Sequence, residues 1–331
     1  MNKIEFGDCR AIMRQWAQDG VKVQTCVTSP PYYGLRDYGH DGQIGLEESP
    51  EEYIANMVEV FQCVKEILAD DGTLWINIGD SYAGNNSQAS NNGRAGFGNP
   101  RERVVNRTGE GLKTKDLIGI PWMLAFALRA DGWYLRQDII WHKPNPMPES
   151  VTDRCTKSHE YIFLLSKSQK YFYDHEAIQE PAQYWGERDR TNGKYHNEGS
   201  GLTPHTGLTG KKKTGIKFGG NKYGDNDDPK YATKSGNEWE ATETRNKRSV
   251  WTVPVKPYSG AHFAVYPEEL IEPCIMAGSR VGDIVLDPFM GSGTTAQVAQ
   301  HLNRQYLGCE LNPEYEALQK KRVRQLSLVL E

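Results

Sequence analysis

The sequence predicts an α/β fold, an open and doubly wound sheet of parallel strands with helices on both faces. Two observations lead to this prediction. Short apolar segments alternate with segments of helical periodicity along the 331 residues, and one apolar segment runs directly into a glycine-rich turn. Parallel strands are buried on both faces and read as continuous apolar runs, because the connecting helices cover both sides of the sheet.

The first helix with a clear start follows Ser49. A capping serine is followed by proline at the first helical position, and Glu52 completes a capping box three residues after the cap. Apolar residues then recur at helical spacing until Asp71-Gly72 interrupts the pattern, and residues 73–78 read as a buried strand. A helix followed by a buried strand is therefore the repeating unit.

The same unit recurs along the chain, as apolar periodicity shows. The further predicted strands are residues 24–27, 134–141, 283–286 and 305–309, and the further predicted helices are residues 121–129 and 268–277.

Two long segments interrupt this alternation. Residues 84–115 and 183–250 are rich in glycine and asparagine and carry more basic than acidic residues, although the net charge of the chain is -4. Such segments cannot bury enough apolar surface to fold by themselves. We therefore expect one domain built from residues 1–182, with a mobile basic loop at 84–115, and residues 251–331, interrupted by an insert at 183–250.

The remaining composition points to a cytoplasmic protein. No apolar run approaches the roughly 20 residues of a membrane-spanning helix, and the N-terminal residues lack a signal-peptide pattern. The six cysteines form no close pairs, so neither a disulfide framework nor a metal cluster is expected.

The turn after the strand at 283–286 has the features of a ligand-binding loop. Its sequence is Asp287-Pro-Phe-Met-Gly-Ser-Gly-Thr-Thr295, and its two glycines let the backbone approach a ligand closely. Glu310 ends the next predicted strand 23 residues after Asp287, and an acidic residue at about this distance binds ribose hydroxyls in dinucleotide folds. The Asp287 carboxylate would repel a phosphate, so a cationic ligand that carries a ribose suits the loop better.

A second motif, Thr28-Ser-Pro-Pro-Tyr32, follows the strand at 24–27. Ser29 offers a hydroxyl and Pro30 a carbonyl oxygen, and the prolines restrict the backbone that carries both groups. Tyr32 offers an aromatic face. A proline turn after a strand is common by itself, and its pairing with the glycine-rich loop makes a catalytic interpretation the better one.

Together the two motifs resemble the catalytic loop and the cofactor loop of the amino-group DNA methyltransferases. Their order, catalytic loop first, is that of the family's permuted beta group. The resemblance covers residues 1–82, 116–182 and 251–331. It implies a Rossmann-like methyltransferase sheet with permuted motif order, and S-adenosylmethionine as the cofactor.

The resemblance also implies which residues bind that cofactor. For Asp8 and His262, a capping or backbone-bonding role at the end of an element is an equal alternative. The implied cofactor-binding residues are Asp8, His262, Phe263, Asp287, Pro288, Phe289, Gly291, Gly293, Thr294 and Glu310.

Catalysis is assigned by the same resemblance to Ser29, Pro30, Pro31 and Tyr32. Ser29 and the Pro30 carbonyl would accept hydrogen bonds from the target amine, and Tyr32 would stack on a base taken out of the duplex. Serine at position 29 is the pattern associated with N4 methylation of cytosine, whereas members that act on adenine N6 usually have aspartate there. We therefore expect N4-cytosine methylation, with N6-adenine methylation as the alternative.

Double-stranded DNA is the expected partner, and the insert at 183–250 is interpreted as the target-recognition region, assisted by the loop at 84–115. Neutralising the phosphate charge requires basic side chains, which both segments provide. The DNA-binding residues expected are Lys143 and Asn145, in the segment near the flipped base, and Lys211, Lys212 and Lys213 in the insert. A cognate restriction endonuclease and a prokaryotic or phage source fit this family, and the oligomeric state stays open.

Other classes of function compete with this interpretation. A DNA-binding protein without catalysis and a methyltransferase that acts on RNA or on glutamine are both alternatives. The dipeptide Pro273-Cys274 matches the nucleophile of carbon-5 cytosine methyltransferases, but it lies within the predicted helix at 268–277. A free cysteine on a helix is more often an inert core residue, so packing is favoured over catalysis for Cys274.

Overall fold

The computed structural model describes residues 1–35, 39–40, 42–84, 111–182, 244–256 and 266–324. The chain divides into a larger compact unit, Met1–Gln179 with Asn246–Glu331, and a smaller one, Glu180–Arg245. The sequence prediction placed the limits of the insert at 183 and 250. None of the described helices is both long enough and apolar enough to cross a membrane.

The described secondary structure alternates along the chain. The strands are β1 (Asn2–Phe6), β2 (Val23–Thr28), β3 (Leu68–Ile78), β4 (Tyr134–His142), β5 (His159–Ser166), β6 (Glu180–Pro181), β7 (Thr244–Arg245), β8 (Val250–Thr252), β9 (Ile284–Asp287) and β10 (Gln305–Glu310). The helices are α1 (Cys9–Gln18), α2 (Pro50–Ile67), α3 (Ile120–Ala130), α4 (Glu268–Gly278), α5 (Thr294–His301) and α6 (Glu316–Arg324). The short strands β6 and β7 pair with each other in the smaller unit.

The larger unit is built on one sheet in the order β1-β10-β9-β2-β3-β5-β4-β8. Its neighbours are parallel except for β5, which runs antiparallel to β3 and β4. The predicted sheet of parallel strands is thus found apart from β5, at which the sequence patterns predicted no strand. The connection between β4 and β5 contains no helix, and without a crossover helix the chain returns antiparallel beside the strand it has left.

Helices cover both faces of the sheet, as predicted. One buried cluster contains side chains of α1, α2 and α3, and the other contains side chains of α4 and α5. Neighbouring residues of β3 point into opposite clusters: Leu74 and Ile76 into the first and Trp75 into the second. The doubly wound fold thus follows from apolar strands that are buried on both sides.

The predicted helix start at Ser49 is confirmed, because the Ser49 hydroxyl accepts a hydrogen bond of 3.2 Å from the Glu52 amide. The following boundary lies earlier than predicted. Helix α2 ends at Ile67 and β3 begins at Leu68, before the Asp71-Gly72 interruption. The pairing with β2 shifts register between Val23 and Thr25, so the polar residues form a bulge inside the strand.

The strand order explains how distant segments meet. β9 pairs directly with β2 in parallel, with Val285 opposite Thr25 and Leu286 opposite Cys26. The glycine-rich loop after β9 and the proline motif after β2 therefore leave the sheet side by side at the same edge.

Candidate active site

One cavity of about 600 Å³ lies at the carboxyl edge of the sheet, within the larger unit. Its wall contains residues that directly follow β1, β2, β3, β4 and β9, together with the ends of β10 and β5 that face this edge. Open parallel sheets bind their ligands at this edge. The predicted site residues that line the cavity are Asp8, Ser29, Pro30, Pro31, Tyr32, Lys143, Asn145, Pro288, Phe289, Gly291, Thr294 and Glu310.

The remaining predicted site residues fall into two groups. Asp287 and Gly293 belong to the glycine-rich loop but are not part of the wall. His262 and Phe263 lie outside the described residues, as do the three insert lysines Lys211, Lys212 and Lys213.

Asp287 lies behind the wall and is 1% exposed. Its Oδ1 accepts hydrogen bonds from the Thr28 hydroxyl at 2.6 Å and from the Phe289 amide at 3.0 Å. Its Oδ2 accepts from the hydroxyls of Thr295 at 2.5 Å and Tyr266 at 3.1 Å. One carboxylate therefore joins the end of β2, the start of α5 and the segment before α4.

These four donors offset part of the cost of burying a carboxylate. Burial raises the pKa of Asp287 above its usual value, and the hydrogen bonds from Thr28, Thr295, Phe289 and Tyr266 counter part of that rise. A buried carboxyl group without such partners would cost several kcal/mol and would be neutral. The site is consequently organised by contacts within the protein before any ligand binds.

The glycine-rich loop is held in a conformation that requires glycine. Gly291 has a φ of 54° and Gly293 a φ of 90°, both in the left-handed region. Helix α6 supports the loop from outside: the Gln319 side chain donates to the Gly291 carbonyl at 2.8 Å, and Arg322 donates to the Thr294 hydroxyl at 2.7 Å. The sequence patterns did not identify this support.

Glu310 and Asp8 place two carboxyl groups on the cavity wall. Glu310 accepts hydrogen bonds from the amides of Gly291 at 2.7 Å and Asn312 at 2.8 Å, and burial raises its pKa. Asp8 caps α1 and pairs with Arg10 at 2.7 Å, and the hydrogen bond from Arg10 lowers its pKa. Asp8 thus has the capping role that the sequence left open, and it also faces the cavity.

The Tyr32 ring is fixed at the other end of the cavity. Its hydroxyl donates to Glu160 at 2.8 Å and lies 3.3 Å from Asn77 Oδ1. A Cβ atom on Gly79 would lie 2.7 Å from the ring, so only glycine leaves room for it. The preceding turn is also tied down, because the Tyr53 hydroxyl donates to the Pro31 carbonyl at 2.8 Å.

Glu160 also forms an ion pair with Lys143, whose ammonium group lies 4.2 Å from the centre of the Trp141 ring. Both partners are largely buried, with 18% of the Lys143 side chain and 14% of the Glu160 side chain exposed. Lys143 therefore neutralises a carboxylate in the wall. The DNA contact near the flipped base that the sequence predicts for Lys143 stays a prediction.

The sequence prediction missed several polar residues of the wall, among them Asn77, Lys157 and Glu160. Of these three, only Glu160 could have been recognised from the sequence, because it is a carboxylate next to the apolar run that forms β5. Lys157 donates to the Asp80 carbonyl at 3.1 Å, and burial lowers its pKa. Its position in a loop gave no pattern to read.

Comparison with known proteins identifies the family. The profile of the DNA methylase family, which covers N6 and N4 enzymes, matches residues 23–321. The chain belongs to this DNA methylase family. It is 45% identical to the type II methyltransferase M.SmaI of Serratia marcescens, over 97% of this chain and 90% of that protein. It is also 45% identical to the type II methyltransferase M.Cfr9I of Citrobacter freundii, over 93% and 83%.

Solved structures show the same fold. The cytosine-N4-specific PvuII DNA methyltransferase superposes with a TM-score of 0.58 at 15% identity, over 97% of this chain and 86% of that one. The complex of M1.HpyAVI with SAM superposes with a TM-score of 0.52 at 18% identity, over 98% and 99%. The predicted family and the predicted methyltransferase fold are thereby confirmed.

The contact between Tyr32 and Glu160 leads to a prediction on rate. Tyr32→Phe and Glu160→Ala should each slow DNA methylation about tenfold, because each removes one end of a hydrogen bond to a charged group. Once the Tyr32 hydroxyl is removed, Glu160 can no longer hold the Tyr32 ring through this hydrogen bond. The double variant should therefore be no slower than the slower of the two single variants. The measurement is the initial rate of methyl transfer to DNA at saturating cofactor.

Tyr134→Phe is a suitable control, because Tyr134 is 45% exposed and outside the cavity wall. It should match the wild type. Multiplication of the two single effects in the double variant would mean that Glu160 does not act through Tyr32.

Proposed function

We propose that this protein is a site-specific DNA methyltransferase that moves the methyl group of S-adenosylmethionine to the N4 amino group of a flipped cytosine. The observation that supports it best is one cavity wall that contains Ser29 and Tyr32 together with the glycine-rich loop and Glu310. A protein that only binds DNA has no need of this combination.

The cavity fits a cationic, ribose-bearing cofactor. Glu310 and Asp8 provide carboxylates for ribose hydroxyls and for a positive charge. Ser292 is also a residue of this wall, and its buried hydroxyl oxygen has no hydrogen-bond partner among the described residues. An unpaired buried polar atom calls for an explanation, and an adjustment of the loop around a bound ligand would give this hydroxyl a partner.

The residues that would hold the cofactor follow from the wall and the loop. Asp287 and Gly293 shape the loop, and the direct contacts would come from Asp8, Pro288, Phe289, Gly291, Thr294 and Glu310, joined by His262 and Phe263 outside the described residues. When bound, S-adenosylmethionine supplies an electrophilic methyl group and leaves as a neutral thioether, while the target amine releases one proton.

The chain's own residues prepare the target amine. The lone pair of an exocyclic amine is delocalised into its ring, which makes the nitrogen a poor nucleophile. A hydrogen bond from the amine to the Ser29 hydroxyl or to the Pro30 carbonyl favours a tetrahedral nitrogen with a localised lone pair. Because Tyr53 fixes the Pro31 carbonyl, these acceptors need little reorganisation during the reaction.

Tyr32 is proposed to stack on the flipped base. Its hydroxyl is bound to Glu160, and Gly79 leaves the ring its space, so the ring is oriented before DNA arrives. Base stacking on an aromatic ring contributes about 1–3 kcal/mol. The ring would thus offset part of the cost of taking the base out of the duplex.

Serine at position 29 supports cytosine as the target, and adenine N6 is the second candidate because the matching family covers both amines.

We also propose that residues 183–250, with residues 84–115, contact the DNA, and that Lys211, Lys212 and Lys213 bind phosphates. Since the relatives are type II methyltransferases, a restriction endonuclease for the same sequence in a prokaryotic or phage-infected cytoplasm is the proposed partner.

Mass spectrometry of nucleosides tests the proposed function. DNA that lacks methylation is incubated with the protein and S-adenosylmethionine and is then digested. N4-methylcytosine is the expected product. N6-methyladenine as the sole methylated product would move the assignment to the second candidate, and 5-methylcytosine would contradict direct transfer to an amine.

The role of Ser29 predicts a split between turnover and affinity. Ser29→Ala should lower turnover by about 10²–10³, the usual cost of one preorganised polar group that acts in the transition state. Its affinity for duplex DNA, measured by fluorescence anisotropy, should change less than about twofold, because the hydroxyl faces the amine and not the phosphates.

Cys274→Ala is the matched control, since it tests the rival nucleophile. Cys274 is 1% exposed in α4, and burial raises the pKa of its thiol, so it should not form the thiolate that nucleophilic attack needs. Turnover of this variant should stay near that of the wild type. An inactive but folded Cys274→Ala protein, with Ser29→Ala fully active, would reverse the assignment.

A further inference from the structure

The side chain of Met147 is 84% exposed, the highest fraction among the large apolar residues that the structure describes. Met147 also lies on the wall of the catalytic cavity. Among the other exposed large apolar residues of the described chain, only Leu35, 52% exposed, shares this wall. A single exposed apolar side chain is common on protein surfaces, but Met147 is placed where a macromolecule that enters the cavity would cover it.

The segment that carries Met147 is rigid. Prolines at positions 144, 146 and 148 restrict the backbone on both sides of it. The Asn145 amide forms two hydrogen bonds with the backbone of Val255, at 2.9 Å to its carbonyl and 2.8 Å from its amide. On the other side, Glu149 accepts from Arg154 at 2.6 Å. Met147 thus lies between two points at which hydrogen bonds hold the loop.

Base flipping creates a defect that such a side chain can fill. When a base leaves the duplex, its neighbours lose their stacking partner and its complement loses its pair. Proteins that open or bend DNA insert apolar wedges, methionine among them, into base steps, at a cost of a few kcal/mol for unstacking. A wedge must lie close to the pocket that receives the base, and its backbone must hold its position against the force of the base stack.

We infer that Met147 is a wedge that enters the base stack as the target base moves into the cavity. The inference rests on the proposed function, because it requires a duplex from which a base is flipped. The anchored backbone resists displacement, while the long unbranched side chain adapts to the gap. The apolar surface that is exposed in the free protein becomes buried between bases in the complex.

Lys143 and Asn145 do not compete for this role. Lys143 is held by Glu160 in the wall, and both polar groups of the Asn145 amide are used by Val255. Leu35 is the rival. Its backbone amide donates to the Tyr32 carbonyl at 3.3 Å, which places it beside the catalytic turn, and its side chain is less exposed.

The test exploits the one step that a wedge assists. Two duplexes are prepared around a site located by sequencing DNA that the wild type has methylated. In one duplex the target base is paired, and in the other it lies opposite an abasic position, so that it is already unpaired. The value of kcat/KM is measured on both for wild type, Met147→Ala, Met147→Leu and Leu35→Ala. Val281→Ala is the matched control, since Val281 is 71% exposed and not on the cavity wall.

Met147→Ala should lower kcat/KM about tenfold on the paired duplex and less than about twofold on the abasic duplex, because an unpaired base needs no wedge. Met147→Leu should stay near wild type on both duplexes, as should Val281→Ala. Equal losses on both duplexes, or no loss on the paired duplex, would overturn the inference. A pairing-dependent loss in Leu35→Ala alone would overturn it in favour of Leu35. Wild-type methylation of the paired duplex, read in the same assay, tests the proposed function separately.

Discussion

The hydrogen bond of 2.6 Å from the Thr28 hydroxyl to the buried Asp287 carboxylate joins two residues 259 positions apart. Thr28 is the last residue of β2 and immediately precedes Ser29, and Asp287 is the last residue of β9 and opens the glycine-rich loop. The bond fastens the start of one loop to the start of the other. In the proposed reaction, this bond together with the pairing of β2 and β9 would set the distance between an amine beside Ser29 and a methyl donor beside the glycine-rich loop.

A carboxylate is well suited to this junction because it accepts several hydrogen bonds at once. Asp287 also receives bonds from Phe289, Thr295 and Tyr266, so that its full acceptor capacity is used inside the protein. Satisfied polar networks in a low-dielectric interior are rigid and specify one arrangement. The loop conformation is therefore set in the free protein, which lowers the cost of ordering it around a ligand.

The permuted order of the motifs has little structural consequence. Parallel pairing of β2 with β9 brings the proline motif and the glycine-rich loop to one edge of the sheet, whichever comes first in the chain. β10 follows next in the sheet and carries Glu310 to the same edge. Function thus depends on the spatial order of the strands, and chain order is free to vary.

The sequence predicted those parts of the site that are local in the chain. The proline motif, the glycine-rich loop and Glu310 each sit at the end of an apolar strand, a pattern that a linear reading detects. Glu160 and Asn77 reach Tyr32 from β5 and β3, and such contacts depend on strand order. No strand was predicted at the position of β5, and its antiparallel course likewise depends on strand order.

The conformation and the supporting contacts of the loops also could not be predicted from local sequence patterns. The support of the glycine-rich loop by α6 needs the position of a helix that follows the motif by some twenty residues and shares no pattern with it. Asp287 illustrates the same limit: its acidic character suggested a direct ligand contact, whereas its four hydrogen-bond donors place it behind the cavity wall.

The most direct test of the central claim is a comparison of turnover and cofactor affinity in Thr28→Val. Valine keeps the shape of threonine and removes the hydroxyl that binds Asp287, while the other three donors stay. Turnover should fall about tenfold or more, with the S-adenosylmethionine dissociation constant from calorimetry within about twofold of wild type. Thr28→Ser should restore turnover, and Glu310→Ala should show the opposite pattern by weakening cofactor binding. Wild-type turnover in a folded Thr28→Val protein would contradict the claim that this bond holds the two loops in one site.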